Sequence, residues 1–177
     1  FHSQLRMLGN HFQLGIGDID VPTFPLFGLF GPALGMREVI PVMDFTRPAR
    51  VNPAMLTDLI QEHRATNLFG SPALLRRLCG YAVPRGMKLP TLKRVVSAGA
   101  PVPFDIVEKT RSLLSQGADV HTPYGATEAL PVASINGEEI LNQTRVFTQK
   151  GRGVCVGVPL PGVTVKILSL IHISEPT

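Results

Sequence analysis

The residues with the clearest chemical potential lie in one short stretch, His121 to Glu128, which reads His-Thr-Pro-Tyr-Gly-Ala-Thr-Glu. The ring of Tyr124 could lie flat against a purine base, and Gly125 would let a ligand approach the backbone because it has no Cβ atom. The hydroxyl of Thr127 could donate to a phosphate oxygen, and Glu128 offers the hard oxygen ligand that magnesium prefers. Because an apolar segment precedes it, the stretch is typical of a strand end, where open α/β sheets bind ligands. The pattern predicts a site for a magnesium-bound nucleotide; the alternative is a turn with incidental polar residues.

Each of these residues also has a structural interpretation. Tyr124 could be a core aromatic residue with a satisfied hydroxyl, and Glu128 could be an exposed carboxylate or a charge at a helix N-terminus. His121 lies on a predicted strand, where a satisfied core histidine is the commoner case, so no chemistry is assigned to it. The sequence has no Gly-x-Ser-x-Gly elbow and no Gly-x-Gly-x-x-Gly turn after a strand, which argues against an α/β-hydrolase and a dinucleotide enzyme.

The composition is that of a globular chain. Its 177 residues are 44% hydrophobic and 17% charged, with a formal net charge of +4. The basic pairs Arg76-Arg77 and Lys93-Arg94 have no aromatic residues between them, so nucleic-acid binding is not predicted. Cys79 and Cys155 stand apart, which argues against a disulfide framework or a metal cluster and favours a cytoplasmic protein. Prolines and glycines break the longest uncharged run, 21–36, so no membrane span is predicted.

Helix and strand patterns alternate along the chain. Asn52-Pro53 and Ser71-Pro72 are helix-start signals, which predict helices over 53–64 and from residue 72 onward. Further helices are predicted at 1–14, 103–115 and 138–149, and strands at 38–43, 67–69, 92–98, 118–122 and 131–135, with a connector at 18–22. The apolar run 24–30 predicts a buried strand that leads into a close-packed turn or short helix. This order predicts an α/β fold, a mostly parallel sheet flanked by helices, over residues 1–150. The alternating segment 163–168 predicts a strand of a following β subdomain, which would start at residue 151.

Several segments, taken in order, resemble one family. Ser97-Ala-Gly-Ala-Pro101 closes one predicted strand, Tyr124-Gly-Ala-Thr-Glu128 closes the next, and Gly157-Val-Pro-Leu-Pro-Gly162 follows. Upstream, Phe24-Pro-Leu-Phe27 fits the segment that lines the acyl pocket in that family. Over residues 20–168 the chain resembles the adenylate-forming, AMP-binding enzymes, a superfamily of acyl-CoA synthetases, luciferases and non-ribosomal adenylation domains. Since neighbouring parallel strands end at one sheet edge, the first two turns are expected to hold the same nucleotide.

The resemblance implies roles for individual residues. The adenine would be flanked by Tyr124, with Gly125 beside it, and by the first turn, Ala98, Gly99, Ala100 and Pro101. Thr127 would contact the α-phosphate and Glu128 would hold magnesium, both in catalytic roles. Phe27, Gly28 and Gly125 would border the acyl chain. The implied reaction is attack of a carboxylate on the α-phosphate of ATP, which gives an acyl-AMP anhydride and pyrophosphate, with ATP and Mg²⁺ as the implied cofactors.

One position separates branches of the family. Many acyl-CoA synthetases carry a histidine directly after Pro-Leu-Phe, where this chain has Gly28. The run 24–35 and the residues around Tyr124 and Glu128 are most similar to the olefin-biosynthesis branch, whose enzymes adenylate a long-chain β-hydroxy acid and close it to a β-lactone. That reading adds the enzymes of the same pathway as expected partners. The alternatives are a fatty acyl-CoA synthetase, which would also need coenzyme A, an acyl-AMP ligase, or an inactive nucleotide- or lipid-binding module.

Parts of the family pattern have no match in this sequence. They are the upstream phosphate loop with its Lys, the downstream Asp that binds the ribose, and the C-terminal domain with the catalytic Lys. The chain also begins with Phe1 rather than Met. We therefore expect an internal fragment of a longer synthetase, inactive by itself. Residues 169–177 leave the family pattern and are predicted to be a non-native tail.

Overall fold

Helices and strands alternate along the part of the chain that a computed structural model describes, residues 2–25, 27–126 and 128–168. The helices are His2–Phe12 (α1), Phe27–Ala33 (α2), Pro53–Glu62 (α3), Pro72–Ala82 (α4), Phe104–Leu113 (α5), Gly137–Glu139 (α6) and Arg145–Gln149 (α7). A π-helical segment, Ile140–Thr144, joins the last two, and short 3₁₀ turns lie at Pro48–Arg50 and Val83–Arg85. The strands are Ile19–Pro22 (β1), Arg37–Glu38 (β2), Asn67–Phe69 (β3), Arg94–Val96 (β4), Asp119–Ala126 (β5), Ala129–Asn136 (β6) and Val158–Pro159 (β7).

The seven strands of this described part form one mixed sheet, in the order β2-β1-β3-β4-β5-β6-β7. Strands β2 to β5 pair in parallel, whereas β6 and β7 are added antiparallel to β5. At the centre, Leu68 is in register with Val21 on one side and Val95 on the other, and all three are fully buried. Two apolar clusters pack against the sheet, one with residues of α3, α4 and α5 and the other with residues of α1 and α2, as expected for a parallel sheet covered by helices. The predicted α/β fold with a mostly parallel sheet is confirmed.

Local sequence signals start the two best-defined helices. The side chain of Asn52 accepts hydrogen bonds from the backbone N–H groups of Ala54 and Met55, at 3.1 and 3.4 Å. The hydroxyl of Ser71 accepts one from Leu74 N–H at 3.3 Å. Proline follows each cap, at a position where its missing N–H loses no helical bond. Among the described residues no helix is long and apolar enough to cross a membrane.

Three predictions near the N-terminus differ from the structure. Residues 18–22 are predicted as a connector, yet 19–22 is strand β1. In 24–30 the predicted short helix forms as α2, but its described residues form no strand before it. Acidic residues at 18 and 20 hide the strand pattern, because both are buried against partners far along the chain. The predicted strand 38–43 is cut to Arg37–Glu38, since Pro41 has no N–H to donate and Val42 is exposed.

Two further differences concern the second half of the chain. The sequence predicts that the strand ends at Thr122, but β5 continues to Ala126 and pairs with β6, with Tyr124 opposite Ala133. The predicted strand at 163–168 is not formed in the described structure, because alternation specifies a face but supplies no partner strand. The segment after residue 150 contributes β7 to the main sheet. A subdomain boundary at residue 151 stays a prediction, and 169–177 lie outside the described residues.

A buried ion pair ties the amino ends of three strands together. Arg94, at the start of β4, donates to Asp18 Oδ2 from Nη1 and Nη2 at 3.3 and 3.0 Å. Thr66, just before β3, donates its hydroxyl to Asp18 Oδ1 at 2.8 Å. The more exposed Lys93 ammonium lies 3.5 Å from the same carboxylate. These contacts fix the connection into β1 against β3 and β4, at the sheet end opposite the glycine-rich turns.

The carboxyl of Asp20 makes the stability of this fold depend on pH. Burial in the middle of β1 raises its pKa from 3.8 to about 7, an effect opposed by the hydrogen bond from Asn67 and increased by the charge of Glu38. The folded chain therefore holds a proton that the unfolded chain has lost, so the free energy of unfolding should fall as pH rises from about 4 to 7. Asp20→Asn should remove most of this slope in urea denaturation at pH 5, 6, 7 and 8. The exposed Asp58→Asn is the matched control, and an equal slope in Asp20→Asn and the parent chain would refute the assignment.

Candidate functional site

The glycine-rich turn 98–101 lies beside Tyr124 and Gly125 of β5, at the carboxyl edge of the parallel strands. Strands β4 and β5 are parallel neighbours with Val96 opposite His121, and Ser97 N–H donates to the carbonyl of His121 at 2.9 Å. The chain then leaves β4 through Ala98–Pro101, next to Tyr124 and Gly125 on β5. This is the adjacency that the parallel strand order predicts. The arrangement gives two cavities with a common wall.

The larger cavity has a volume of about 900 Å³ and is bordered mainly by apolar side chains; we call it the apolar cavity. Phe27 of α2 stacks on Phe69 at the end of β3, with ring centroids 3.4 Å apart and an angle of 12° between the rings. The cavity is also lined by residues from the connection before α2, the loop before α3, the start of α4 and strand β6: Phe24, Phe45, Ser71, Ala73, Arg76 and Leu130. Of the predicted acyl-site residues, Phe27 and Gly125 line it. Gly28 does not, because its α-carbon faces Pro22 and Glu38.

The smaller cavity, of about 300 Å³, lies between the turn 98–101, the end of β5 and the segment 154–156. We call it the turn cavity. Tyr124 lines it with a side chain that is 55% exposed, so its ring has room for a stacked ligand. Four residues line both cavities and form their common wall: Gly99, Ala100, Pro101 and Gly125. Ala98 lines the apolar cavity alone. A molecule with an apolar chain and a flat polar ring could therefore occupy both sides of this wall.

The two wall glycines have backbone reasons to be glycine. Gly99 has φ +91°, in the left-handed region that other residues rarely adopt. At Gly125 a Cβ atom would lie 2.3 Å from the carbonyl oxygen of Ala129 on the facing strand β6. The sequence assigns Gly125 to close approach of a ligand, whereas in the structure its own hairpin is the nearest neighbour. Because Gly99 and Gly125 each line both cavities, a single residue separates the two spaces at these points.

A buried hydroxyl lines the turn cavity and was not singled out in the sequence. Ser97 is 1% exposed, and its Oγ has no hydrogen-bond partner in the described part of the chain. It lies at the end of β4 and is available to a ligand in the turn cavity. The residues at the start of α4 were also missed as site residues. The strand order is a signal that could have identified Ser97 and the start of α4, because β3 and β4 end at the same edge of the sheet as β5.

The predicted magnesium ligand fits a site that a nucleotide completes. Glu128 is exposed beyond the end of β5 and is not among the residues that line either cavity. Within the described ranges no group of three or more His, Cys, Asp or Glu side chains could hold a metal by itself. One carboxylate fits magnesium, which commonly takes its remaining ligands from phosphates and water. Thr127 lies outside the described residues, so its predicted phosphate contact stays a prediction.

His121 has surroundings that suit a structural residue. Its ring meets the ring of Phe12 edge to face, with centroids 5.4 Å apart. Burial lowers the pKa of His121, opposed by the charge of Asp119, so the imidazole is uncharged at neutral pH. That His121 takes no part in the chemistry stays a prediction.

Comparison with known proteins identifies the family. The profile of the AMP-binding enzymes matches residues 23–170. An olefin beta-lactone synthetase of Stenotrophomonas maltophilia is 51% identical over 170 residues, 96% of this chain and 30% of the relative. A long-chain-fatty-acid–CoA ligase of Thermus thermophilus is 27% identical over 177 residues, 94% of this chain and 30% of the relative. The chain thus spans about a third of the length of these relatives.

A solved structure supports the fold. The O-succinylbenzoate coenzyme A synthetase of Bacillus subtilis, in complex with ATP and magnesium ion, aligns with a TM-score of 0.73 over 99% of this chain and 34% of that chain. The identity is 18%, so this likeness concerns the fold alone. The profile match and the 51% identity agree with the order of the glycine-rich motifs, and this chain belongs to the family of AMP-binding enzymes.

Proposed function

We propose that the chain is part of an ATP-dependent ligase that activates a long-chain β-hydroxy fatty acid as acyl-AMP and closes it to a β-lactone. The observation that carries this proposal is the common wall of Gly99, Ala100, Pro101 and Gly125 between an apolar cavity and a turn cavity. The similarity to an olefin beta-lactone synthetase supports the choice of substrate and product. Both cysteines of the described part are free thiols, which fits the expected cytoplasmic location.

In this proposal each cavity takes one part of the reacting pair. The adenine lies in the turn cavity against the exposed ring of Tyr124 and the turn 98–101, with the Ser97 hydroxyl at its inner end. The acyl chain lies in the apolar cavity along Phe27 and Phe69. The carboxylate and the α-phosphate then meet at the common wall. Holding both groups there converts a bimolecular reaction into one between positioned neighbours.

The steps follow from that placement. A carboxylate oxygen attacks the α-phosphorus, the bond from phosphorus to the bridging oxygen breaks, and pyrophosphate leaves. The β-hydroxyl oxygen then attacks the acyl carbon, loses its proton to solvent, and displaces AMP. Glu128 would hold magnesium, which supplies positive charge to the phosphate oxygens. The apolar walls around Phe27 exclude water, which would otherwise hydrolyse the anhydride.

A chimeric enzyme provides the test. Residues 1–168 of this chain would replace the matching segment of the Stenotrophomonas maltophilia relative, because the chain alone is expected to be inactive. We expect pyrophosphate release that depends on ATP and on a β-hydroxy acid. Glu128→Ala should lower that rate about 100-fold, the order of effect for removing one group that stabilises transition-state charge. Glu108→Ala, an exposed carboxylate on α5, is the matched control, and equal rates in the two variants would contradict the role of Glu128.

The product separates the proposed reaction from a thioester-forming one, which the similarity to a CoA ligase favours as second candidate. A lactone formed without coenzyme A supports the proposal, whereas a thioester formed only with it supports the second candidate. A chimera that binds an acyl-adenylate analogue but releases no pyrophosphate would leave only a binding module. Tyr124→Ala should weaken that binding in every case, because base stacking is lost.

A further inference from the structure

A second concave surface lies on the exposed side of helix α4. Ala73, Arg76, Arg77 and Gly80 follow one another at helical spacing and share one face. Together with the 3₁₀ turns on either side they enclose a groove of about 470 Å³. We call it the arginine groove; its lining is completed by Ala49, Pro53, Tyr81 and Arg85. Ala73 and Arg76 also border the apolar cavity, but the other residues of the arginine groove have no part in the proposed function.

The charge of the arginine groove is positive and largely unpaired. Three arginines line it, and none of the described residues in its lining is acidic. In the described part of the chain the guanidinium groups of Arg76 and Arg77 form no hydrogen bond or ion pair, and both side chains are exposed. The carboxylate that feels the charge of Arg76, Asp105, is already paired with Lys109 at 3.1 Å. An anion in the groove would meet two available guanidinium groups.

The floor and one wall of the groove are preformed. Arg85 lies with its guanidinium carbon 4.1 Å from the centroid of the Tyr81 ring and donates to the Tyr81 carbonyl at 3.0 Å. The floor has small residues, and a Cβ atom at Gly80 would meet nothing within 4 Å. Planar guanidinium groups around a small open floor suit a compact oxyanion, since arginine binds phosphate through two parallel hydrogen bonds.

The arginine groove adjoins the apolar cavity. Ala73 and Arg76 line both, so only these side chains of α4 separate the positive surface from the proposed acyl site. We propose that the arginine groove binds the phosphate group of an amphiphilic ligand whose acyl chain enters the apolar cavity. The phosphate could belong to a lipid headgroup or to a soluble phosphate ester, which share this chemistry. The inference rests on the proposed function only for the acyl chain; the phosphate site stands on the groove itself.

Calorimetric titration of this chain with three probes separates the parts of the proposal. The probes are oleoyl lysophosphatidic acid below its micelle concentration, glycerol 3-phosphate, and oleate. We expect the lysophosphatidic acid to bind at least ten times more tightly than either other probe. Equal binding of glycerol 3-phosphate and the lysophosphatidic acid would overturn the acyl part and identify a site for soluble phosphate. If glycerol 3-phosphate binds and oleate does not, the result would contradict the acyl site in the apolar cavity but not the phosphate site in the arginine groove.

Two groove variants and one control decide whether the groove is the site. Gly80→Leu fills the floor while every arginine stays, and replacing a helix glycine should not lower stability. Arg76→Gln with Arg77→Gln removes the two available guanidinium groups. Each is expected to weaken lysophosphatidic acid binding at least ten-fold, whereas Arg6→Gln with Lys166→Gln, an equal loss of charge elsewhere, should leave it unchanged. Unaltered binding in both groove variants, or the same loss in the control, would overturn the proposal.

Discussion

Replacing Gly125 by alanine is expected to destabilise the chain by about 2 kcal/mol or more and to abolish binding of an acyl-adenylate analogue. The added Cβ would lie 2.3 Å from the carbonyl oxygen of Ala129, and 3.0 and 3.1 Å from Cδ1 and Cα of Leu130. The closest of these atoms is backbone of β6, which cannot turn away as a side chain could. The hairpin must open, and the common wall of the two cavities moves with it. Urea denaturation measures the first effect and calorimetric titration the second.

Gly80→Ala is the matched control for this substitution. It adds the same methyl group to the chain, but at a helix position where the new atom meets nothing within 4 Å. We expect it to raise stability by about 0.5–1 kcal/mol, the usual gain from replacing glycine in a helix, and to leave analogue binding unchanged. Comparable stability and binding in Gly125→Ala and Gly80→Ala would show that the hairpin tolerates the methyl group and would remove Gly125 from the site.

Asp18→Asn is expected to destabilise the chain by about 3 kcal/mol, because it leaves the buried charge of Arg94 without its anion. The Asp18 and Arg94 side chains are only 8% and 11% exposed, and their closest approach is 3.0 Å. Burial lowers the pKa of Arg94, and the charges of Asp18 and Asp20 oppose that shift, so the carboxylate of Asp18 offsets part of the cost of burying the guanidinium. The amide oxygen of asparagine could still accept from the Thr66 hydroxyl, so the substitution tests mainly the charge. The midpoint of urea denaturation at pH 7 measures the loss.

An exposed ion pair gives the comparison for Asp18. The charged groups of Asp105 and Lys109 are similarly close, at 3.1 Å, but both side chains are about half exposed on α5. Water and salt screen such a pair, so Asp105→Asn should leave the denaturation midpoint nearly unchanged. Raising the salt concentration should likewise have little effect on the contribution of Asp18, which water hardly reaches. Similar midpoints for Asp18→Asn and Asp105→Asn would mean that the buried pair does not hold β1 to β4.

The elements that sequence predicts well are those with a local cause. Helix α3 begins where Asn52 and Pro53 place it, and β3 spans 67–69 as predicted, because capping and short apolar runs act within a few residues. Strand β1 was missed because its neighbour Asp18 and its own Asp20 look like loop residues. Asp18 binds Arg94, 76 positions away, and Asp20 binds Asn67, 47 positions away. No short stretch of the sequence therefore contains the reason for their burial.

In the candidate site, too, some features follow from the sequence and others depend on how distant elements pack. The parallel order of β4 and β5 predicts that the turn 98–101 lies beside Tyr124, and it does. Ser71-Pro72 indicates only the start of a helix, so the sequence does not predict that α4 lines the apolar cavity. The position of Gly28, which faces Glu38 and not the cavity, depends on how α2 packs on β1 and β2. The phosphate and metal roles of Thr127 and Glu128 remain predictions.

The thinness of the partition between the two cavities has a consequence for the order of events. A nucleotide bound in the turn cavity would restrict the motion of Gly99 and Gly125, and so would fix the space available to the acyl chain in the apolar cavity. The two ligands would then favour each other's binding by the same factor, as thermodynamic reciprocity requires. A protein that holds one of the two molecules would therefore bind the other more tightly than the empty protein does, and both would be in place before chemistry.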